Sequence, residues 1–262
     1  SCNNLASFLR DTGSFREAEE LHREALKIRR ELAEKSPDAY LPDLAISCNN
    51  LAYLLSDTGS SKEAKELYRE ALKSRRKLAE KNPDAYLPSL AASCNNLACL
   101  LSDTGSSKEA EELYREALKI RRELAEKNPD AYLPILADSC NNLAYLLSDT
   151  GSSKEAEGLY REALKIHREL AEKNPDAYLP DLAISCNNLA NLLSDIGSFK
   201  EAEELYQEAL KIRRNLAEEN PKVYLPKLQL VCDNLTALLE KTGRREEADN
   251  LRREVAEFFK LQ

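Results

Sequence analysis

Methionine and tryptophan are absent from the 262 residues, histidine occurs twice and glycine seven times. Two histidines, His22 and His167, cannot supply the acid, base and ligand clusters of a hydrolase or metalloprotease, and no kinase constellation is present. The glycines stand singly, so none opens a phosphate-cradling loop. No apolar run approaches the roughly 18 residues that a bilayer span needs, and the N-terminus lacks the basic and apolar segments of a signal peptide. A net charge of -8 and a pI near 5.2 argue against nucleic acid as the main partner, because phosphate recognition rests on Lys and Arg. The expectation is a chain that is not an enzyme, takes no cofactor or metal and enters no membrane. What is present is charge and apolar surface, 32% and 42% of the residues, the composition of a packed helical protein.

Self-similarity organises the rest. Cys2, Cys48, Cys94, Cys140, Cys186 and Cys232 are spaced 46 residues apart, and each begins a close copy of Cys-Asn-Asn-Leu-Ala. Segments 47–92 and 93–138 agree at 40 of 46 positions. A single array over 1–262 is expected, with units near 1–46, 47–92, 93–138, 139–184, 185–230 and a divergent 231–262. His22 and His167 fall in the first and fourth units and cannot meet. Because methionine is absent and Ser1 falls inside a unit, the chain is expected to be a piece of a longer protein.

Within a unit, Pro42 suits the first turn of a helix, and Leu44, Cys48, Leu51 and Leu55 recur at helical spacing. Helix A is predicted from about Leu41 to Thr58. Gly59 suits a left-handed cap, Ser60 or Ser61 can cap the next helix, and Ala64, Leu67, Tyr68, Ala71, Leu72 and Leu78 form a second apolar stripe. Helix B is predicted to end near Lys81, stopped by Asn82 and Pro83, with Asp84 to Leu87 as a link to the next helix A at Pro88. Two antiparallel helices per unit give an all-α solenoid.

Cys48, Leu51, Ala52, Leu55, Ala64, Tyr68 and Ala71 have the spacing of the tetratricopeptide signature, and the chain resembles that family over all six units. It departs in having Cys for Trp, Ala for Gly, and a unit 12 residues longer than the usual ~34, similar to the enlarged repeats of kinesin light chain and of bacterial regulatory proteins. The resemblance implies a right-handed superhelix in which helix A lines a concave groove that holds peptides.

Free cysteine behaves as a small apolar residue. Successive units are separated by about 8–10 Å, beyond the ~7 Å reach of a disulfide, so the Cys ladder reads as core in a reducing, cytoplasmic setting. Cys99 breaks the ladder and falls on the opposite side of its helix. Asn234-Leu235-Thr236 matches a glycosylation sequon but lies within a helix. Glu111 with Arg115, Lys119 with Glu123 and Glu123 with Lys127 are expected as i,i+4 pairs on a solvated outer face.

The repeats also report which positions change. Asp43, Ser89, Ile135, Asp181 and Lys227 are equivalent; so are Ile46, Ala92, Asp138, Ile184 and Leu230; so are Ser7, Tyr53, Cys99, Tyr145, Asn191 and Ala237. At about 100° per residue these three positions share one face of helix A, away from Leu44, Cys48, Leu51 and Leu55. Asn4, Asn50, Asn96, Asn142, Asn188 and Asn234 lie on that face yet do not vary, and an amide can pair with a peptide unit in both senses. They either form a ligand-binding ladder or bond to the neighbouring helix A and fix the stacking; for Asn49 the stacking role is favoured. Asp11, Asp57, Asp103, Asp149 and Asp195 stand where the helix dipole disfavours a carboxylate. Either they accept from N–H groups near Gly59 and Ser60, or they form an acidic strip for a cationic ligand. The candidate peptide-binding set is therefore Asn4, Asn50, Asn96, Asn142, Asn188, Tyr53, Cys99, Tyr145, Asn191, Asp57, Asp103, Asp149 and Asp195, and the expected partner is a protein or peptide with a basic segment. Two other roles compete: a sensor or autoinhibitory array in a larger signalling ATPase or protease, and a self-assembling structural array.

Overall fold

The computed structural model describes residues 14–261. These form eleven α-helices and no strand, in two compact units, Ser1–Pro129 and Asp130–Gln262. The first unit holds α1 (Phe15–Lys35), α2 (Pro37–Asp57), α3 (Ser61–Lys81), α4 (Pro83–Asp103) and α5 (Ser107–Lys127). The second holds α6 (Pro129–Asp149), α7 (Ser153–Lys173), α8 (Pro175–Asp195), α9 (Phe199–Glu219), α10 (Pro221–Lys241) and α11 (Arg245–Leu261). Even-numbered helices are the A helices and odd-numbered ones the B helices. Consecutive helices pack on one another from α1 to α5 and from α7 to α11.

Helix A begins earlier than Pro42 and Pro88 predict. Pro83 takes the first helical position, where a missing N–H costs nothing, and Asn82 Oδ1 accepts from Ala85 N at 3.3 Å. Asp84 to Leu87 are therefore helical rather than a link. Pro88 lies inside α4; it withholds one bond from the carbonyl of Asp84, which sits in an exposed first turn where water replaces it. Asn82 N also bonds Leu78 O at 2.9 Å, so one residue closes α3 and opens α4.

The A-to-B turn follows its glycine. Gly105 has φ +79°, its N–H bonds Ser102 O at 3.1 Å and the N–H of Ser106 bonds Leu101 O at 2.7 Å, the paired bonds of a Schellman cap. Ser60 and Ser106 occupy the N-cap positions of α3 and α5, but neither side chain makes the expected cap bond. Their carbonyls still accept from Ala64 and Ala110.

The core runs between the two apolar stripes. Cys94, Leu97, Ala98 and Leu101 of α4 are fully buried, as are their equivalents Cys140, Leu143, Ala144 and Leu147 of α6. The described ladder cysteines are buried and form no disulfide, and burial pushes the Cys94 thiol up to about 12. Ala52, Ala98, Ala144 and Ala190 have no exposed surface, so these small side chains lie wholly within the core.

A Cβ added at Gly105 meets nothing within 4 Å, so the cost of Gly105→Ala is backbone strain alone. Urea unfolding should show a loss of about 1–2 kcal/mol. A loss near zero would contradict the left-handed cap.

Candidate functional site

The variable positions line the exposed side of the A helices. Ile46, Tyr53, Ile135, Ile184 and Leu230 stand out from the surface, and Tyr145 keeps 66% of its area accessible. Single apolar residues on a surface are ordinary, but here they recur at equivalent positions of the A helices within each unit. Asp43, Asp138 and Lys227 are exposed beside them, while Asp181 and Ser89 are half-buried. The equivalents of Tyr53 are not uniform. Cys99 Sγ accepts from Tyr114 Oη at 3.1 Å, and Asn191 Oδ1 accepts from Tyr206 Oη at 2.6 Å. These two are half-buried and held by helix B rather than open on the face.

The asparagines divide. Asn4 lies outside the described residues. Asn96 Nδ2 donates to Asn49 Oδ1 on the preceding A helix at 2.9 Å, and Asn234 Nδ2 donates to Asn187 Oδ1 at the same distance. In these pairs the amide fixes helix stacking, the alternative to a ligand role. Asn50, Asn142 and Asn188 are half-buried, and Asn188 has no hydrogen-bond partner among the described residues. Asn234, within the sequon, is thus a bonded helical residue, and Thr236 is buried.

Asp57, Asp103, Asp149 and Asp195 are exposed without a hydrogen-bond or ion-pair partner among the described residues. The turn alternative fails for a specific reason: the N–H groups of Gly59 and Ser60 are taken by the carbonyls of Ser56 and Leu55. Asp11 lies outside the described residues. In α10 the equivalent residue is Lys241, whose Nζ donates to Ser194 O at 2.8 Å and lies 5.2 Å from the Phe199 ring centroid.

The outer faces are organised differently. Glu111 and Arg115 pair as expected at 2.9 Å, but Lys119, Glu123 and Lys127 do not pair with one another; Lys127 reaches Asp84 at 3.1 Å. The dominant pattern joins B helices of successive repeats. Arg23–Glu63, Arg69–Glu109 and Arg161–Glu201 form one series, and Arg30–Glu70, Arg76–Glu116, Arg168–Glu208 and Arg214–Glu254 a second, at 2.5–2.8 Å. The arginines hold Glu63, Glu109 and Glu201 below the usual carboxylate range. Exposed pairs of this kind contribute about 0.2–1 kcal/mol each. Arginine and glutamate recurring at one fixed offset on the polar face of helix B were the available signal.

With the hairpin geometry, the 46-residue unit and this face established, comparison with known proteins decides the family. Residues 2–77, 90–130, 136–176 and 182–221 match tetratricopeptide repeats. The chain belongs to the tetratricopeptide repeat family. The expected resemblance is thereby borne out, including to enlarged repeats. The fold is similar to BtubC (BKLC) from P. vanneervenii, at 25% identity, TM-score 0.73, covering 93% of this chain and 90% of that one. It is also similar to the nearly identical TPR-like repeats of a Podosopora anserina putative kinesin light chain, at 22% identity and TM-score 0.62, covering 81% and 93%. Apo RapI matches over 100% and 98% of the two chains at 13% identity and TM-score 0.64, a likeness of fold alone. The comparison with curated proteins returned no match. Tetratricopeptide repeats mediate contacts between proteins, and the fold is typically a non-enzymatic scaffold. Among the described residues no helix is long and apolar enough to cross a membrane, and no group of three or more His, Cys, Asp or Glu is placed to hold a metal ion.

A buried link inside the repeats was missed in the sequence. Arg29 and Arg75 donate from Nη1 to Ser47 Oγ at 2.5 Å and Ser93 Oγ at 2.6 Å on the following A helix. His167 stands in that place in the fourth repeat, 1% exposed, with Nδ1 2.8 Å from Ser185 Oγ. Arg213 faces Val231 instead of a serine; its Nη2 donates to Pro180 O at 3.0 Å and its buried Nη1 has no partner.

Cys99 should be the first described thiol to react with maleimide, because the others are buried, yet more slowly than a free thiol, because burial raises its pKa. Unchanged labelling of Cys99→Ser would contradict this placement. Burial lowers the His167 pKa, with Asp138 and Asp181 opposing. The unfolded chain therefore takes up the proton first as pH falls below about 6.5, and the stability His167 contributes while neutral is lost on the acid side. Subtracting the unfolding profile of His167→Gln from the parent's should isolate that acid loss; parallel profiles would refute it.

Proposed function

We propose that the exposed face of the A helices binds an extended segment of another protein, and that this segment carries Lys or Arg among apolar residues. The observation that carries the reading is the contrast between faces. On the B helices the repeated series Glu63, Glu109 and Glu201 is paired with arginine across repeats, whereas the repeated series Asp57, Asp103, Asp149 and Asp195 on the A helices has no partner among the described residues. Burying such charges against an apolar partner would be costly; a cationic one compensates them and is steered toward the face. Lys241 supports the reading, since an ammonium in that position is received by the carbonyl of Ser194 and the Phe199 ring. Exposed Ile46, Tyr53, Ile135, Tyr145, Ile184 and Leu230 supply apolar contacts at changing positions, which is where specificity resides.

A pool of extended 12-residue peptides (about 40 Å,) with Lys or Arg at varied positions is the probe. Asp149→Asn with Asp195→Asn should weaken the selected peptides about tenfold while leaving the helical circular dichroism unchanged, and added salt should lower affinity, since exposed charges are screened over about 8 Å at physiological ionic strength. Selection of acidic peptides, or affinity indifferent to salt, would overturn the proposal.

A further inference from the structure

Three junctions between successive A helices differ in one buried position and in what their asparagines do. Between α2 and α4, Arg75 donates to Ser93 Oγ at 2.6 Å and Asn96 is bonded to Asn49. Between α8 and α10 the serine is replaced by Val231, and Asn234 is bonded to Asn187. Between α6 and α8 the donor is His167, and the pattern changes. Asn141 Nδ2 turns to Ser185 Oγ at 3.2 Å, its Oδ1 is buried without a partner, and Asn188 has none among the described residues. The ladder therefore closes where the serine is engaged by a permanent donor or is absent. It opens where the serine faces an imidazole.

The chemistry explains the difference. A neutral imidazole whose Nδ1 is an acceptor takes the Ser185 hydroxyl hydrogen, leaving the oxygen's lone pairs to Asn141. With a proton from solvent on Nδ1, the ring donates to Ser185 Oγ as Arg75 does to Ser93. The hydroxyl hydrogen can then turn to the carbonyl one helical turn back, as Ser139 Oγ donates to Ile135 O at 3.0 Å. Asn141 can then leave Ser185, as Asn49 makes no bond to Ser93 where Arg75 donates to it, and its carbonyl can accept from Asn188 as Asn49 accepts from Asn96.

We infer that His167, Ser185 and Asn141 form a proton-operated latch on the proposed binding face: with His167 neutral, Asn188 is free to pair with a main-chain peptide group, and with His167 charged, Asn188 is tied to Asn141. The functional meaning rests on the proposed partner face; the chemistry does not. The charged groups acting on His167 are Asp138 on α6 and Asp181 on α8, which favour the proton against burial. On α7 itself Arg161 and Arg168 are engaged by Glu201 and Glu208 of α9. The transition accordingly falls on the acid side of an ordinary histidine.

The test needs no ligand, so a face that binds nothing would leave its outcome unaffected. Side-chain NH2 signals of Asn141 and Asn188 are assigned in the whole chain from Asn141→Ala and Asn188→Ala spectra, then followed by NMR between about pH 7.5 and 5.0. The Asn188 signal should shift with the midpoint of the His167 ring. His167→Arg, copying the Arg75 junction, and Ser185→Val, copying the Val231 junction, should each hold it at the acid position at every pH. An Asn188 signal that stays still in the parent, that titrates with a different midpoint, or that keeps its neutral position in both variants would overturn the latch. Loss of peptide selection with this titration intact would refute the partner assignment alone.

Discussion

A hairpin of two 21-residue amphipathic helices cannot bury both of its apolar faces by itself. Helix A carries Cys94, Leu97, Ala98 and Leu101 into contact with its own helix B and with the helix B before it, so each repeat completes the core of its neighbours. Fully burying one leucine is worth about 1.5–3 kcal/mol, and each described hairpin places several such residues in that shared layer. Everything else in the structure is subordinate to keeping these stripes in register. The left-handed glycine after helix A and the single asparagine after helix B do this by fixing the two reversals.

Register along the array is reinforced on two levels. Inside, arginine on helix B reaches a serine on the next helix A, and asparagines link one A helix to the next. Outside, arginine and glutamate bridge successive B helices. The buried links are the more selective because an unmatched polar group in the interior is costly, whereas an exposed ion pair is screened and worth little. Arg213 shows what a mismatch does: with Val231 in place of serine the guanidinium turns to a backbone carbonyl and to the Tyr224 ring, and one nitrogen is left without a partner.

The two faces of the repeats are therefore chemically unlike. On the B face two series of glutamates are paired with arginine across repeats. The A face has carboxylates at its turns that the backbone cannot satisfy, because the glycine cap has already used the nearby N–H groups. Such a surface is consistent with contact between proteins.

Residue order by itself determined the repeat, its two helices, the glycine turn, the buried cysteine ladder and the exposed variable face, because all of these follow from a short-range period and from the conformational limits of Gly and Pro. It misplaced the start of helix A, since two prolines five positions apart, Pro83 and Pro88, each suit a first turn and the chain enters the helix at the earlier one. Which asparagines stack and which stay free was not legible: Asn96 and Asn188 occupy equivalent positions, and their junctions differ in a residue on another helix, arginine at Arg75 and histidine at His167. Likewise Cys99 and Asn191 belong to the variable face by angle, yet Tyr114 and Tyr206 hold them back. Tertiary structure decided these cases because a hydrogen bond depends on what lies across the helix interface, and the period of a helix fixes only the direction in which each side chain leaves its own backbone.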